Sequence, residues 1–227
     1  MKKIILTITL FLSINSQLFS HVNHYSKFNY LEYELFRNNQ SIGYHKYEFM
    51  REGSELSVRS EVSFKITKMG VDLYKYFAKS EEIYENGIFK SYKSKTKQNK
   101  KDRYVNINID PANKSLIIDG SSYKGKASKN FIVGTWWNHE IVKAKAQISG
   151  ISGRVIEQSV TFIGKEEVTI GDKTYKTLHF NFRSSDETLP ESKRLNTDIW
   201  YEEETFLWVK AAFDKSGYWE YRVKTYK

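Results

Sequence analysis

Five histidines and a scatter of carboxylates are the residues with which this chain could do acid–base or metal chemistry. His139-Glu140 begins like a zinc-protease helix, in which a second histidine four residues on would complete a metal pair on one helical face. Lys143 occupies that place, so the motif fails. His21 and His24 fall near an expected mature amino terminus, where disorder is usual. Glu202-Glu203-Glu204 follows Tyr201 at a strand end and reads as a solvated turn before it reads as an acid/base pair. Ser152, in Gly150-Ile151-Ser152-Gly153, lacks the spacing of a nucleophile elbow. P-loop, GxGxxG and GxSxG patterns do not occur. The chain has no cysteine, which removes disulfides, thiol catalysis, iron–sulfur clusters and cysteine zinc sites. The motifs therefore assign no catalytic residue, no metal and no cofactor. A hydrolase or isomerase site assembled from distant positions around His139 or His45 stays open.

Aromatic side chains carry the stronger signal. Sixteen Tyr, fourteen Phe and five Trp favour β structure. They concentrate at Trp136-Trp137 and at Trp200, Trp208 and Trp219, with Tyr201, Tyr218 and Tyr221 beside them. One reading is a pocket walled by flat apolar faces with polar edges; the other is an ordinary aromatic core. By alternation Trp208 faces opposite to Val209, Ala211 and Phe213, so both faces of that strand carry apolar material. The candidate ligand-binding residues are Trp136, Trp137, Asn138, Trp200, Trp208, Trp219 and Tyr221.

Net charge is +9, and the surplus is local. Lys90, Lys93, Lys95, Lys97, Lys100, Lys101 and Arg103 lie close together, opposed only by Asp102. They read either as a basic rim that attracts an anionic lipid headgroup or as a solvated hairpin that discourages edge pairing. No helix-turn-helix, RNP or zinc-finger spacing suggests a nucleic-acid partner.

The elements that must position these residues are strands. Leu56, Val58, Ser60, Val62, Phe64 and Ile66 occupy one face of an alternating run, with Arg59, Glu61 and Lys65 on the other. Leu31, Tyr33 and Leu35 repeat the pattern. So do Val105, Ile107 and Ile109, then Leu178, Phe180 and Phe182, then Trp219, Tyr221 and Val223. Turn signals separate the runs at Arg51-Glu52-Gly53, Asn86-Gly87, Asp119-Gly120, Gly171-Asp172 and Ser216-Gly217. Asn86-Gly87 is the strongest, since a type I′ turn needs positive φ at both central residues. Eleven to thirteen strands joined to their neighbours predict an antiparallel meander curled into a barrel, half-barrel or β-roll. One short helical insertion is predicted near 135–146, where Trp137, Ile141 and Ala144 repeat with helical spacing.

Residues 1–20 read as a signal peptide: Lys2 and Lys3 precede the apolar run Ile4–Ile14, which is too short to span a bilayer. Cleavage after Ser20 would leave a single all-β domain at 21–227, without a transmembrane segment, in the periplasm or secreted.

Three stretches resemble an uncharacterised group of exported bacterial proteins, a domain of unknown function. They are Thr135-Trp136-Trp137-Asn138 with Ile148-Ser149-Gly150-Ile151-Ser152-Gly153-Arg154-Val155; Asp198-Ile199-Trp200-Tyr201 with Leu207-Trp208-Val209-Lys210 and Tyr221-Arg222-Val223; and Ile42-Gly43 with Tyr47-Glu48-Phe49. The likeness runs over most of residues 30–225, and Ser149 stands where the group would carry Asn. It implies an all-β exported domain of Gram-negative bacteria and carries over no catalytic residue. The resulting expectation is a periplasmic, non-catalytic binding protein for an apolar or amphipathic ligand, a lipid or acyl chain. The alternatives are an envelope protein-interaction scaffold and a hydrolase with a non-local site.

Overall fold

The alternation becomes strands almost throughout. The computed structural model describes residues 25–110, 112 and 115–227. The expected signal peptide, His21, His24 and Pro111 lie outside them. The N-terminal strands are β1 (Tyr30–Arg37), β2 (Gln40–Glu52), β3 (Glu55–Lys68), β4 (Val71–Glu85), β5 (Ile88–Gln98), β6 (Lys101–Asp110), β7 (Ser115–Gly120), β8 (Lys124–Ser128) and β9 (Ile132–Val133). A 3-10 helix, His139–Lys143, separates them from β10 (Ala146–Ile148), β11 (Val155–Ile170), β12 (Lys173–Ser184), β13 (Asn196–Glu202), β14 (Trp208–Asp214) and β15 (Tyr218–Tyr226). The two additional strands relative to the expected count are β9 and β10, of two and three residues, too short for a pattern to register.

All fifteen strands form one sheet in the order β8-β7-β6-β5-β4-β3-β2-β1-β15-β14-β13-β12-β11-β10-β9. Every pair is antiparallel except β9–β10. Pairing of β1 with β15 joins the first and last strands at the middle of the sheet, leaving β8 and β9 as the edges. The sheet curls without hydrogen-bonding shut. Its ends meet through packing instead: Val133 and Ile148 bury against Val105, Ile107, Leu116 and Ile118. A close backbone approach completes that contact, because a Cβ on Gly120 would stand 2.6 Å from the Ser152 carbonyl oxygen.

Turn chemistry explains the register. Asn38-Asn39 and Asn86-Gly87 both take positive φ and close two-residue hairpins. Asp119-Gly120 is not a turn: it ends β7, and the chain reverses immediately afterwards. Of the insertion expected near 135–146, the part that is helical is the 3-10 segment His139–Lys143, capped by Asn138, whose Oδ1 accepts the Glu140 amide at 3.1 Å. Trp137, Ile141 and Ala144 are all buried, as their spacing requires.

On the core face Leu31, Tyr33 and Leu35 are fully enclosed, as are Phe182, Ile199 and Tyr201. Val62 is buried, whereas Phe64 is half-buried near one end of the barrel, stacked on Tyr76 at 4.7 Å. The expected orientation of Trp208 is corrected by a bulge. Trp200 pairs with Lys210 but Tyr201 pairs with Trp208, so the register slips by one residue at Val209. The slip turns Trp208 to the inner side, where it stacks on Tyr33 at 4.0 Å.

Candidate functional site

The inner face of the sheet has a patch of small side chains. Ser60, Ser80 and Ser94 are cross-strand neighbours, as are Val62, Ala78 and Thr96. Where neighbouring rows carry Tyr or Phe, these residues leave space, and a cavity of about 290 Å³ lies over them. Its opposite wall is the irregular segment Gly134–Trp136 with Ser149–Ile151, and Phe213 and Tyr221 close one side.

Inward-facing hydroxyls hold that opposite wall. Tyr47 donates to the Thr135 carbonyl at 2.6 Å and Tyr201 to the Trp136 carbonyl at 2.8 Å. Tyr92 and Ser94 both donate to the Gly150 carbonyl, at 3.0 and 2.6 Å. The Trp137 amide donates back to the Thr135 carbonyl at 2.7 Å, closing a three-residue turn around Trp136 at φ +59°. A tryptophan in that region is a backbone outlier, costing on the order of 1–3 kcal/mol. The surrounding hydroxyls hold it there with its indole lining the cavity.

Two buried polar groups define the interior. Glu82 lies in phase with Ala78, Ser80 and Tyr84 on β4 and is almost wholly enclosed. Its carboxyl accepts the Trp137 indole N–H at 3.0 Å and the Tyr84 hydroxyl at 2.8 Å. Burial raises its pKa above the usual carboxylate value, against the opposing pull of those donors. His45, in phase with Tyr47 and Phe49 on β2, lies among Tyr33, Tyr47, Trp208 and Tyr221. Burial lowers its pKa to about 3, so the ring is neutral at ordinary pH. Neither ring nitrogen has a hydrogen-bond partner, and the Trp136 Nε1 has none either. A neutral imidazole offers one donor and one acceptor. The cavity therefore joins an aromatic wall to a floor of small, mostly hydroxyl-bearing side chains, with the unpartnered His45 ring beside it.

The expected binding residues separate accordingly. Trp136 and Tyr221 line the cavity. Trp208 packs behind Trp136 at 5.3 Å, and Trp219 stacks on Phe213 at 5.9 Å. Trp137 and Asn138 are buried supports of the wall. Trp200 points to the outer face, flat against His179 at 4.2 Å with the Lys210 ammonium over its ring.

The basic run lies away from the cavity, because period two sends Tyr92, Ser94 and Thr96 inward and Lys93, Lys95 and Lys97 outward. There Lys93 extends a row of alternating charge, Glu48–Arg59–Glu81–Lys93, while Lys95 lies beside Lys79 at the end of the row Lys46–Glu61–Lys79. Lys90 pairs with Glu85 at 2.7 Å. Lys100 and Lys101 are exposed at the β5–β6 turn. Arg103 donates to Gln98 and Ser122 at the start of β6.

Histidine–carboxylate geometry occurs elsewhere. His179 Nδ1 is 2.9 Å from Glu166 and its Nε2 is 3.0 Å from Asp198, on the outer face. Both nitrogens are engaged, which leaves no lone pair aimed at a substrate. His139 stacks on Phe206 at 4.4 Å beside Glu140. Among the described residues no group of three His, Asp or Glu side chains is placed to hold a metal ion. No helix among them is long and apolar enough to cross a membrane.

Of the two interior groups, His45 enters the sequence reading only as a centre for a non-local catalytic site, and Glu82 does not enter it. Their signal was phase: each occupies a core-facing position in an alternating run.

The curled antiparallel sheet and its plugged interior define an all-β, barrel-like domain. The chain belongs to the family described as domain of unknown function DUF6134, whose match covers residues 33–224. Among solved structures it is similar to the β-barrel-like protein of domain of unknown function DUF1849 from Brucella abortus. That likeness has 9% identity and a TM-score of 0.62, covering 87% of this chain and 96% of that one. No curated protein matches the chain.

Proposed function

We propose that this protein is an exported, non-catalytic binding protein that takes a single small amphipathic ligand into its interior cavity. The observation that carries the reading is the unpartnered His45 ring beside a cavity whose walls include Trp136, Phe213 and Tyr221, over a floor of small side chains. An uncharged hydroxyl, amide or protonated carboxyl would either accept from the ring N–H or donate to the bare ring nitrogen. The apolar part of the ligand would lie along the aromatic wall. At about 290 Å³ the space sits at the low end of ligand pockets, roughly 300–1,000 Å³, which suits one short acyl chain and not a two-chain lipid. The strained turn at Trp136 supports the same reading, since such outliers gather at ligand clamps. The Lys2-Lys3 and Ile4–Ile14 leader supports export.

The test is titration of the purified protein with short fatty acids, fatty alcohols and lysolipids, following tryptophan emission. Saturable change is expected, weakened by His45→Leu and by Trp136→Ala. Absence of saturation with every class, together with no lipid in mass spectra of the freshly purified protein, would return the cavity to an empty packing space. Export is tested separately: the periplasmic protein should begin near His21.

A further inference from the structure

The β3–β4 hairpin runs past its neighbours. Pairing of β2 with β3 ends at Gly43–Phe64, and pairing of β4 with β5 begins at Tyr76–Gln98. Residues 65–75 therefore form a two-stranded arm with no strand paired to it on either side, reaching roughly 15 Å at about 3.3 Å per residue.

Its apolar side chains face water. Met69 is 94% exposed, Val71 62% and Leu73 54%, and Phe77 at its base is 42% exposed. Two details oppose a purely structural account of these residues. Met69 is the first residue of the two-residue turn and has φ +51°. The hairpins at Asn38-Asn39, Asn86-Gly87 and Asn99-Lys100 put Asn there, the residue that tolerates this conformation. Leu73 is the unpaired residue of a bulge, since Ile66 pairs with Tyr74 and Thr67 with Asp72. Both apolar residues thus sit at conformationally awkward places where folding buries nothing.

Lysines surround the arm. Lys65, Lys68 and Lys75 are on it, and Lys97, Lys100 and Lys101 flank its base. The β5–β6 turn is fixed against the arm by the Asn99 amide on the Lys75 carbonyl at 2.8 Å and the Lys75 amide on Asn99 Oδ1 at 2.7 Å. Asp72, the single carboxylate within the arm, is engaged by Lys75 at 2.8 Å and Lys65 at 3.4 Å. An apolar tip backed by a cationic collar is the arrangement that anchors a protein at an anionic bilayer, where shallow insertion and headgroup attraction act together.

We infer that the 65–75 arm is a docking surface for an anionic lipid bilayer, with Met69, Val71 and Leu73 entering the interface and Lys68, Lys97, Lys100 and Lys101 facing headgroups. This is independent of the interior cavity.

The experiment is co-sedimentation of the full chain with vesicles of phosphatidylcholine alone, or with roughly a third phosphatidylglycerol. The protein should pellet with the anionic vesicles, stay in solution with the neutral ones, and be released as salt rises from about 0.1 M to about 0.5 M. The variant Met69→Asn, Val71→Thr, Leu73→Thr keeps turn and strand propensity, so its melting temperature should hold while vesicle binding is lost. Lys68→Gln, Lys100→Gln, Lys101→Gln should weaken binding roughly fivefold per lysine. His45→Leu should bind vesicles like the parent, which separates this inference from the cavity reading. Equal pelleting with neutral and anionic vesicles, no pelleting with either, or undiminished binding by the apolar triple variant would overturn it. So would a dimer formed without lipid and abolished by that variant, which would assign the arm to a second copy of the chain.

Discussion

The indole N–H of Trp137 donates to the Glu82 carboxyl at 3.0 Å across the interior. One residue comes from the irregular segment between the two halves of the sheet and the other from near the end of β4. This bond, with the Tyr47 and Tyr201 hydroxyls, ties the segment to the barrel wall and so sets where Trp136 stands.

Glu82→Gln should fold and should change how stability depends on pH. The Glu82 pKa is raised on folding, so its favourable contribution is complete in acid and is lost as pH rises through the raised value. Glutamine keeps an acceptor for Trp137 and does not titrate. Thermal melts from pH 4 to 8 should show the variant gaining on the parent as pH rises; a constant difference would mean that Glu82 titrates as it does in the unfolded chain.

His45 acts in the opposite sense. Its folded value of about 3 lies below the ordinary 6.5, so its contribution is complete above pH 6.5 and lost as pH falls toward 3. At pH 5 the loss is about 2 kcal/mol, from one and a half units at about 1.4 kcal/mol each. His45→Phe should remove that part of the acid sensitivity, read from urea midpoints at pH 7 and pH 5. An unchanged acid loss would show that other groups dominate.

Trp137→Ala and Trp136→Ala should behave differently. The first empties an enclosed site and deprives Glu82 of a donor, costing about 3–5 kcal/mol or preventing folding. The second enlarges a cavity that already exists and should leave the melt within a few degrees of the parent. Equal destabilisation by both would make Trp136 an ordinary core residue.

Gly43→Ala should disturb the sheet beside the cavity. An added Cβ would stand 2.1 Å from the Ser63 carbonyl oxygen and 2.6 Å from the Phe64 Cα, both backbone atoms of the adjacent strand. A loss of about 1–3 kcal/mol is expected, in the range of overpacked cores. A neutral outcome would mean that β2 and β3 part there without cost.

The sequence by itself determined the class of fold, and the reason is local. Alternation at Leu31–Leu35 and Leu56–Phe64 separates a wet face from a dry one. Asn86-Gly87 can close only a tight hairpin, and Trp137, Ile141 and Ala144 mark the 3-10 insertion between the two halves of the sheet. The sequence also placed Trp136 and Tyr221 among the candidate binding residues. Only the tertiary structure decided which aromatics share a cavity. A one-residue slip at Val209 turned Trp208 inward, and Trp200 stayed on the outer face. Strand phase set the lysines of β5 on the side opposite the pocket. The orphaned ring of His45 and the buried carboxyl of Glu82 were likewise decided by the curl of the sheet. Each lies at a core-facing position that the pattern identifies, but what stands opposite depends on strands far away in the chain.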